Sequence, residues 1–199
     1  MSARPTNRKT EILDVALALA FEGGPRRVTT VAIANRLNLT QPAIYRHFRS
    51  KADLWTEITN RLDAEVAGNI AAAESGEGSA LARVRTLVLG QLALIERTPA
   101  LPEIMIARDP TSADAVVRVA MRSRMSAFQA TLVRLCVAAQ REGALRCDLL
   151  AADIAALVMG VLQSLALRLV LTQDPARIAA DGRRLLDLQL AAFAPAGAA

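Results

Sequence analysis

The stretch TTVAIANRLNLTQPAIYRHFRSK, residues 29–51, holds two apolar patterns of helical spacing separated by a short polar joint. Ile33, Ala34 and Leu37 recur at helical intervals, and Ile44 and Phe48, one turn apart, share a face. Asn38-Leu39-Thr40 is too short for anything but a tight turn. Asn38 stands where a helix C-terminus takes a left-handed residue, and Asn follows Gly in that preference. Thr30 reads as the N-cap of the first helix and Thr40 as the N-cap of the second, with Pro42 tolerated in the first turn. The second helix should run from Gln41 to about Phe48. It turns Ile44 and Phe48 inward and leaves Gln41, Pro42, Tyr45 and Arg46 outward.

Residues scarce elsewhere crowd into this stretch. Of 199 residues, the single tyrosine is Tyr45 and the single histidine is His47. Arg46, Arg49 and Lys51 lie beside them. From Met1 to Lys51 there are nine basic residues against three acidic, a balance of +6, while the whole chain carries +5. A basic N-terminal segment on a near-neutral body implies a polyanion partner; the alternative is a solvated basic face. Two short helices, a tight turn and an outward polar and basic second helix make a helix-turn-helix. Such a second helix enters the major groove of DNA with its N-terminal residues at base edges. Gln41 has the donor and acceptor to pair with adenine, and Pro42 and Ala43 suit a thymine methyl. Tyr45, His47 and Lys51 suit phosphate oxygens, which fix register without reading sequence.

The flanking sequence is helical too. Ile12, Val15, Ala16 and Leu19 stripe a first helix from about Asn7 to Glu22, stopped by Gly23-Gly24-Pro25. Ser50-Lys51-Ala52-Asp53 is a capping box with Asp in place of Glu. It opens a fourth helix striped by Leu54, Trp55, Ile58, Leu62 and Val66. The polar, glycine-rich segment Glu74–Ser79 is a loop. Helices follow over about Ala80–Arg97, around Ile104-Met105-Ile106, and, after a break at Asp109-Pro110, over about Ser112–Glu142, closed by Gly143. An eighth helix, about Leu150–Leu171, is apolar nearly all round. Asp174-Pro175 reads as N-cap and first residue of a ninth, ending near Phe193. Leu and Ala dominate and no alternating strand pattern of useful length occurs. The fold class is therefore all-α, about nine helices, with an N-terminal three-helix domain (residues 1–52) and a C-terminal helical domain (53–199).

Helix eight invites a membrane reading, but Asp153, Gln163 and Arg168 interrupt it and its uncharged middle is too short to span a bilayer. It reads as buried, with more apolar faces than one core covers, so a second copy should bury the rest. The candidate dimer residues are Leu157, Val161 and Leu165 on that helix and Ile178, Leu185 and Leu188 on the ninth. A polar N-terminus without a signal-peptide pattern makes the cytoplasm the expected compartment.

One histidine and two distant cysteines give no expectation of a metal site, a cofactor or a catalytic triad, which points away from an enzyme. Cys136, on an apolar stripe, reads as a buried structural thiol. Cys147, beside Arg146, leaves a redox thiol as an alternative. Gln91 and Gln163 interrupt apolar helices, as placed polar groups in a ligand pocket do; core amides are the equal alternative. Trp55, Leu62, Met105, Met121, Met125, Phe128 and Met159 are the candidate apolar lining, implying a mostly apolar effector.

Residues 29–51, above all the pattern Tyr45-x-His47-Phe48-x-x-Lys51, resemble the helix-turn-helix of the tetracycline-repressor (TetR) family, and the likeness runs from about Ile12 to Ile58. The resemblance places the family's DNA contacts on Thr30, Gln41, Pro42, Ala43, Tyr45, His47 and Lys51. Thr40 and Arg46 join the candidate set. Asn38 replaces the usual turn glycine. Val31 stands where the tetracycline repressor has a base-reading arginine, so that operator does not carry over. The resemblance further implies that helices four to nine form a ligand-binding and dimerisation body, the last two pairing with their copies as a four-helix bundle. The expected function is a homodimeric repressor that binds an inverted-repeat, double-stranded DNA operator and is released by a small-molecule effector. The alternative is an effector-free architectural DNA-binding protein of the same fold.

Overall fold

A computed structural model describes residues 8–106 and 112–195; of 106, 112–118, 120 and 121 the backbone alone is described. Asn7, the Asp109-Pro110 break and the Met121 side chain, all read from the sequence, lie outside the described residues. Within them every regular element is helical: α1 (Arg8–Gly23), a 3-10 turn (Pro25–Arg27), α2 (Thr30–Arg36), α3 (Gln41–Tyr45), α4 (Lys51–Ser75), α5 (Ala80–Arg97), α6 (Ala100–Ile106), α7 (Ser112–Arg141), α8 (Ala151–Thr172) and α9 (Ile178–Ala192). The chain divides into two compact units. The first comprises residues 1–63 and 98–121, the second 64–97 and 122–199, so α4 contributes to both.

In the first unit, α1 packs against α2 and α6, and α2 against α3. Ile12, Ile33, Ile44, Phe48, Leu54 and Ile58 form its fully buried centre. The turn after α2 follows from one residue. Asn38 adopts φ 57°, which lets the Leu39 N–H reach Ala34 O (2.8 Å) and the Asn38 N–H reach Asn35 O (3.3 Å). These two bonds satisfy carbonyls that a helix end otherwise leaves open, the Schellman arrangement. At the start of α4, Ser50 Oγ accepts from the Asp53 N–H (3.0 Å) and Asp53 Oδ2 accepts from the Arg49 N–H (2.9 Å). The capping box read from the sequence is thus formed, shifted by one residue on its return arm.

Three helix starts or ends differ from the sequence reading. The N-cap of α2 is Thr29, not Thr30: Thr29 is extended and its Oγ1 accepts from the Ala32 N–H (3.0 Å). Thr40 occupies the N-cap position of α3 but its side chain makes no capping bond; its backbone oxygen takes the Ala43 N–H instead (3.0 Å). The helix at Asp174-Pro175 starts later, at Ile178. Asp174 Oδ1 accepts from the Ala176 N–H (3.0 Å), closing a local turn that competes with helix.

In the second unit, α5, α8 and α9 pack together. Gly182 fits this packing. A Cβ there would stand 2.3 Å from Leu92 Cδ1 and 3.1 Å from Leu165 Cδ1, so a larger residue would have to push these leucine side chains aside or α9 away. The C-terminal half of α7 buries Phe128, Leu132, Leu135, Cys136 and Ala139. Arg83 closes the end of α4, donating to Ala73 O and Glu74 O (both 2.7 Å). Among the described residues α8 alone is long and apolar enough to cross a membrane, yet 44% of its most apolar window is buried in the protein.

Candidate nucleic-acid interface

The interface is assembled by opposed demands on α3. Ile44 is fully buried and so is Phe48 beyond the helix end, where the Phe48 N–H still bonds Ile44 O (3.0 Å). Regular helix ends at Tyr45, but the turn through Arg46 and His47 keeps Phe48 on the inner face. Tyr45, one position on from Ile44, is therefore carried outward and is 46% exposed. Thr40, Gln41, Pro42, Arg46, His47 and Lys51 are exposed as well, while Thr30 and Ala43 are half-buried. All nine candidate DNA residues thus reach the outside of the helix-turn-helix. Val31 is also exposed there, presenting an apolar side chain at the outer start of α2.

The charge on this surface is less uniform than the sequence count. Arg36 is neutralised by Glu22 through two bonds of 2.9 and 2.6 Å. That bond, the largest influence, holds the Glu22 carboxyl below its ordinary range. Lys9 pairs with Glu57 (3.0 Å) and lies 5.6 Å over the Phe48 ring, a cation–π contact against the anchor of α3. Among the described residues, Arg46, Arg49 and Lys51 enter no ion pair. The positive charge open to a polyanion therefore concentrates where α3 ends and α4 begins.

The start of α2 and the start of α3 are also joined. Gln41 Nε2 donates to Thr30 Oγ1 at 3.0 Å. Thr29 is used internally as a cap and Thr30 is used by the neighbouring helix, a division of roles the sequence reading missed by placing the cap one residue late.

Residues 12–58 match the sequence model of the bacterial regulatory proteins of the tetR family. The fold of the ketosteroid transcriptional regulator KstR2 of Mycobacterium tuberculosis overlays the chain with a TM-score of 0.80, covering 98% of each chain at 19% identity. Its N-terminal segment is a tetR-type helix-turn-helix, and its fold is that of the family's solved regulators. The regulator FadR from Bacillus subtilis, solved in complex with stearoyl-CoA, shares the fold at a TM-score of 0.66 and 15% identity, covering 92% of this chain and 98% of that one. A curated relative, the nucleoid occlusion factor SlmA of Marinomonas sp. (strain MWYL1), is 31% identical over 108 residues, 54% of each chain. The chain therefore spans about half the length of the curated relatives it matches. The matched segment accounts for the helix-turn-helix and, as the coarse function, for DNA binding.

Beyond that motif, the candidate body residues separate. Trp55 and Leu62 are buried in the first unit, where Met105 is half-buried. Gln91, Phe128 and Met159 are buried in the second unit, where Met125 is half-buried. Gln91 is 6% exposed and its Oε1 accepts from Asn69 Nδ2 (3.3 Å). Gln163 is exposed on α8: two positions past the buried Val161, it has rotated off the inner arc, so it does not enter the apolar interior. Leu157 (53% exposed), Leu188 (62%), Val161 and Leu185 line one open groove with Gly160, Ser164 and Gln189. Leu165 and Ile178, read with them as seam residues, are instead buried inside the protomer. Cys136 is fully buried, and burial pushes its thiol up to about 11, as a structural thiol requires; Cys147 is exposed. Among the described residues no group of three or more His, Cys, Asp or Glu could hold a metal.

Proposed function

We propose that this protein is a regulator of the TetR family, a homodimeric, ligand-responsive repressor that binds an inverted-repeat operator and is released by a mostly apolar small molecule. Residues 1–52 read the DNA and 53–199 bind effector and partner copy. The observation that carries the reading is the outward set Gln41, Tyr45, His47 and Lys51, on and just beyond a short helix anchored by buried Ile44 and Phe48. A single such helix makes few contacts, so tight operator binding needs two, about one DNA turn (roughly 34 Å) apart. The exposed leucines Leu157 and Leu188 beside Val161 and Leu185 support a second copy on α8 and α9. The effector reading draws on the buried amide of Gln91, on the helix that also buries Leu87, Val88 and Leu92; its N–H groups, with Oε1 held by Asn69, are the polar groups that would orient an apolar ligand. KstR2, described as a ketosteroid regulator, and FadR, solved in complex with stearoyl-CoA, favour an apolar carbon skeleton.

Regulation follows from linkage. An effector shifts the DNA-binding equilibrium only by its differential affinity for the two states, and operator DNA weakens effector binding by the same factor. The test is a thermal-shift screen of steroids, acyl thioesters and other apolar compounds, followed by release of operator DNA. A compound that stabilises the protein but leaves operator affinity unchanged at saturation is not the effector. The relationship to SlmA favours a second reading, an architectural DNA-binding protein without effector. Mapping bound sites across the genome separates the two: few operators for the repressor, many dispersed sites for the architectural protein.

A further inference from the structure

We infer that Thr30 is a positioning residue that sets which base Gln41 reads, by holding the Gln41 carboxamide in one of its two orientations. The inference rests on the DNA-binding role of α3 and deepens it.

The argument starts from the amide's chemistry. A carboxamide has an acceptor oxygen on one arm and two N–H donors on the other. Turning it over exchanges what it offers a base edge. With oxygen and one N–H outward, it matches the adenine edge in the major groove, which presents the N6 donor and the N7 acceptor. With both N–H groups offered, it matches the guanine edge, where N7 and O6 are both acceptors. A free, exposed glutamine at the first turn of a helix can take either orientation, and its side chain has several rotamers to lose.

In this protein the carboxamide is tethered in one of these orientations. Gln41 Nε2 donates to Thr30 Oγ1 at 3.0 Å, across eleven residues of sequence and from one helix start to the other. One of its two N–H groups is thereby consumed. What remains is Oε1 and a single N–H, the complement of adenine. The geometry holds Thr30 for this role because Thr29, not Thr30, caps α2 by accepting the Ala32 N–H. A hydroxyl could also donate to the oxygen of a turned-over amide; a backbone phosphate that takes the Thr30 proton leaves Oγ1 only as an acceptor, and so selects the N–H arm of Gln41 seen in the structure. A chain of hydrogen bonds would then run from phosphate through Thr30 and Gln41 to the base, coupling register to readout. The two starts cannot drift apart, since α2 packs on α3 and the buried Ile33, Ile44 and Phe48 fix both.

The experiment is selection from a randomised double-stranded DNA library with the full-length chain, followed by affinity measurements on adenine and guanine versions of the chosen site. The wild type should select one adenine per half-site whose preference disappears in Gln41→Ala. Thr30→Val keeps the shape of the side chain and removes the hydroxyl. It should cut the adenine-over-guanine ratio at that position on the order of tenfold, leaving preferences at other positions in place. Thr30→Ser should restore the ratio. Thr29→Ala, which weakens α2 without touching the bridge, should leave the ratio unchanged, so general destabilisation is told apart from positioning. An unchanged ratio in Thr30→Val, or a uniform loss at every position, overturns the inference while leaving DNA binding intact. A wild type that binds no DNA sequence specifically would instead overturn the reading on which it rests.

Discussion

Two helices of this protein invite contrast, α3 with five residues and α8 with twenty-two. In α3 each side chain has one plausible surrounding. Ile44 goes to the core, and Gln41 and Tyr45 go out, because polar and basic groups need solvent or a polyanion. In α8 most side chains are apolar and the helix is buried along only part of its circumference, with Leu157, Leu167 and Leu171 left exposed. Apolar surface carries no label for what covers it: the protein's own core, a ligand or a copy. Chemical variety makes a short segment legible, and chemical uniformity makes a long one ambiguous.

The sharpest way to break this contrast is to place the same charge on two faces of the α8–α9 pair. Leu165→Glu puts a carboxylate where the leucine is 2% exposed. It should cost more than about 4 kcal/mol, the range reserved for buried unpaired charge, and urea unfolding should show the loss. Leu188→Glu, at a position 62% exposed, should leave protomer unfolding nearly unchanged while sedimentation shows dissociation and operator affinity falls. If both variants unfold alike, the groove is not a surface, and the proposed dimer seam is lost.

Next in size is the anchor of α3. Phe48→Ala empties a buried aromatic site and should cost about 3–5 kcal/mol. Operator binding should fail with it, because Gln41 and Tyr45 are aimed only while α3 is seated. Chemical unfolding together with a mobility-shift titration measures both.

A smaller effect sits at the α8–α9 junction. The bond from Arg168 Nη2 to Asp181 Oδ2 (2.8 Å), assisted by Arg177 and Arg184, holds the Asp181 carboxyl below its ordinary 3.8. A lowered carboxylate pKa stabilises the folded state above the unfolded value, and the contribution is lost as pH falls through the folded value. The urea midpoint should thus fall below about pH 4 in the wild type. In Arg168→Gln the folded value moves back toward the unfolded one, so the fall should be smaller and end at a higher pH, and Asp181→Asn should remove this component. An identical acid profile in all three proteins would discard the junction as a pH-sensitive element.

The smallest expected change is at the DNA surface. Lys51→Ala should flatten the slope of log K against log salt by about 0.9 per subunit and weaken all sequences similarly. A change in base preference without a change in slope would move Lys51 from the phosphates to the base edges.

The helix order, the turn at Asn38, the capping box at Ser50 and the outward set on α3 were legible in the sequence because each rests on local chemistry: a side chain that caps, a residue that tolerates positive φ, an apolar period. Local rules also misled where two adjacent residues compete for one role. Thr29 and Thr30 are equally good caps by type, and only the fold, by seating Gln41 beside Thr30, gave each hydroxyl its partner. Asp174 likewise offered a cap but closed a turn. Nothing in the sequence distinguished Leu165 from Leu188, or Gln91 from Gln163. Their fates depend on which arc of each helix meets a neighbour, on Gly182 admitting α9 against Leu92 and Leu165, and so on packing between segments far apart in the chain. Sequence determines what a side chain can do with its neighbours; tertiary structure decides which neighbours it has.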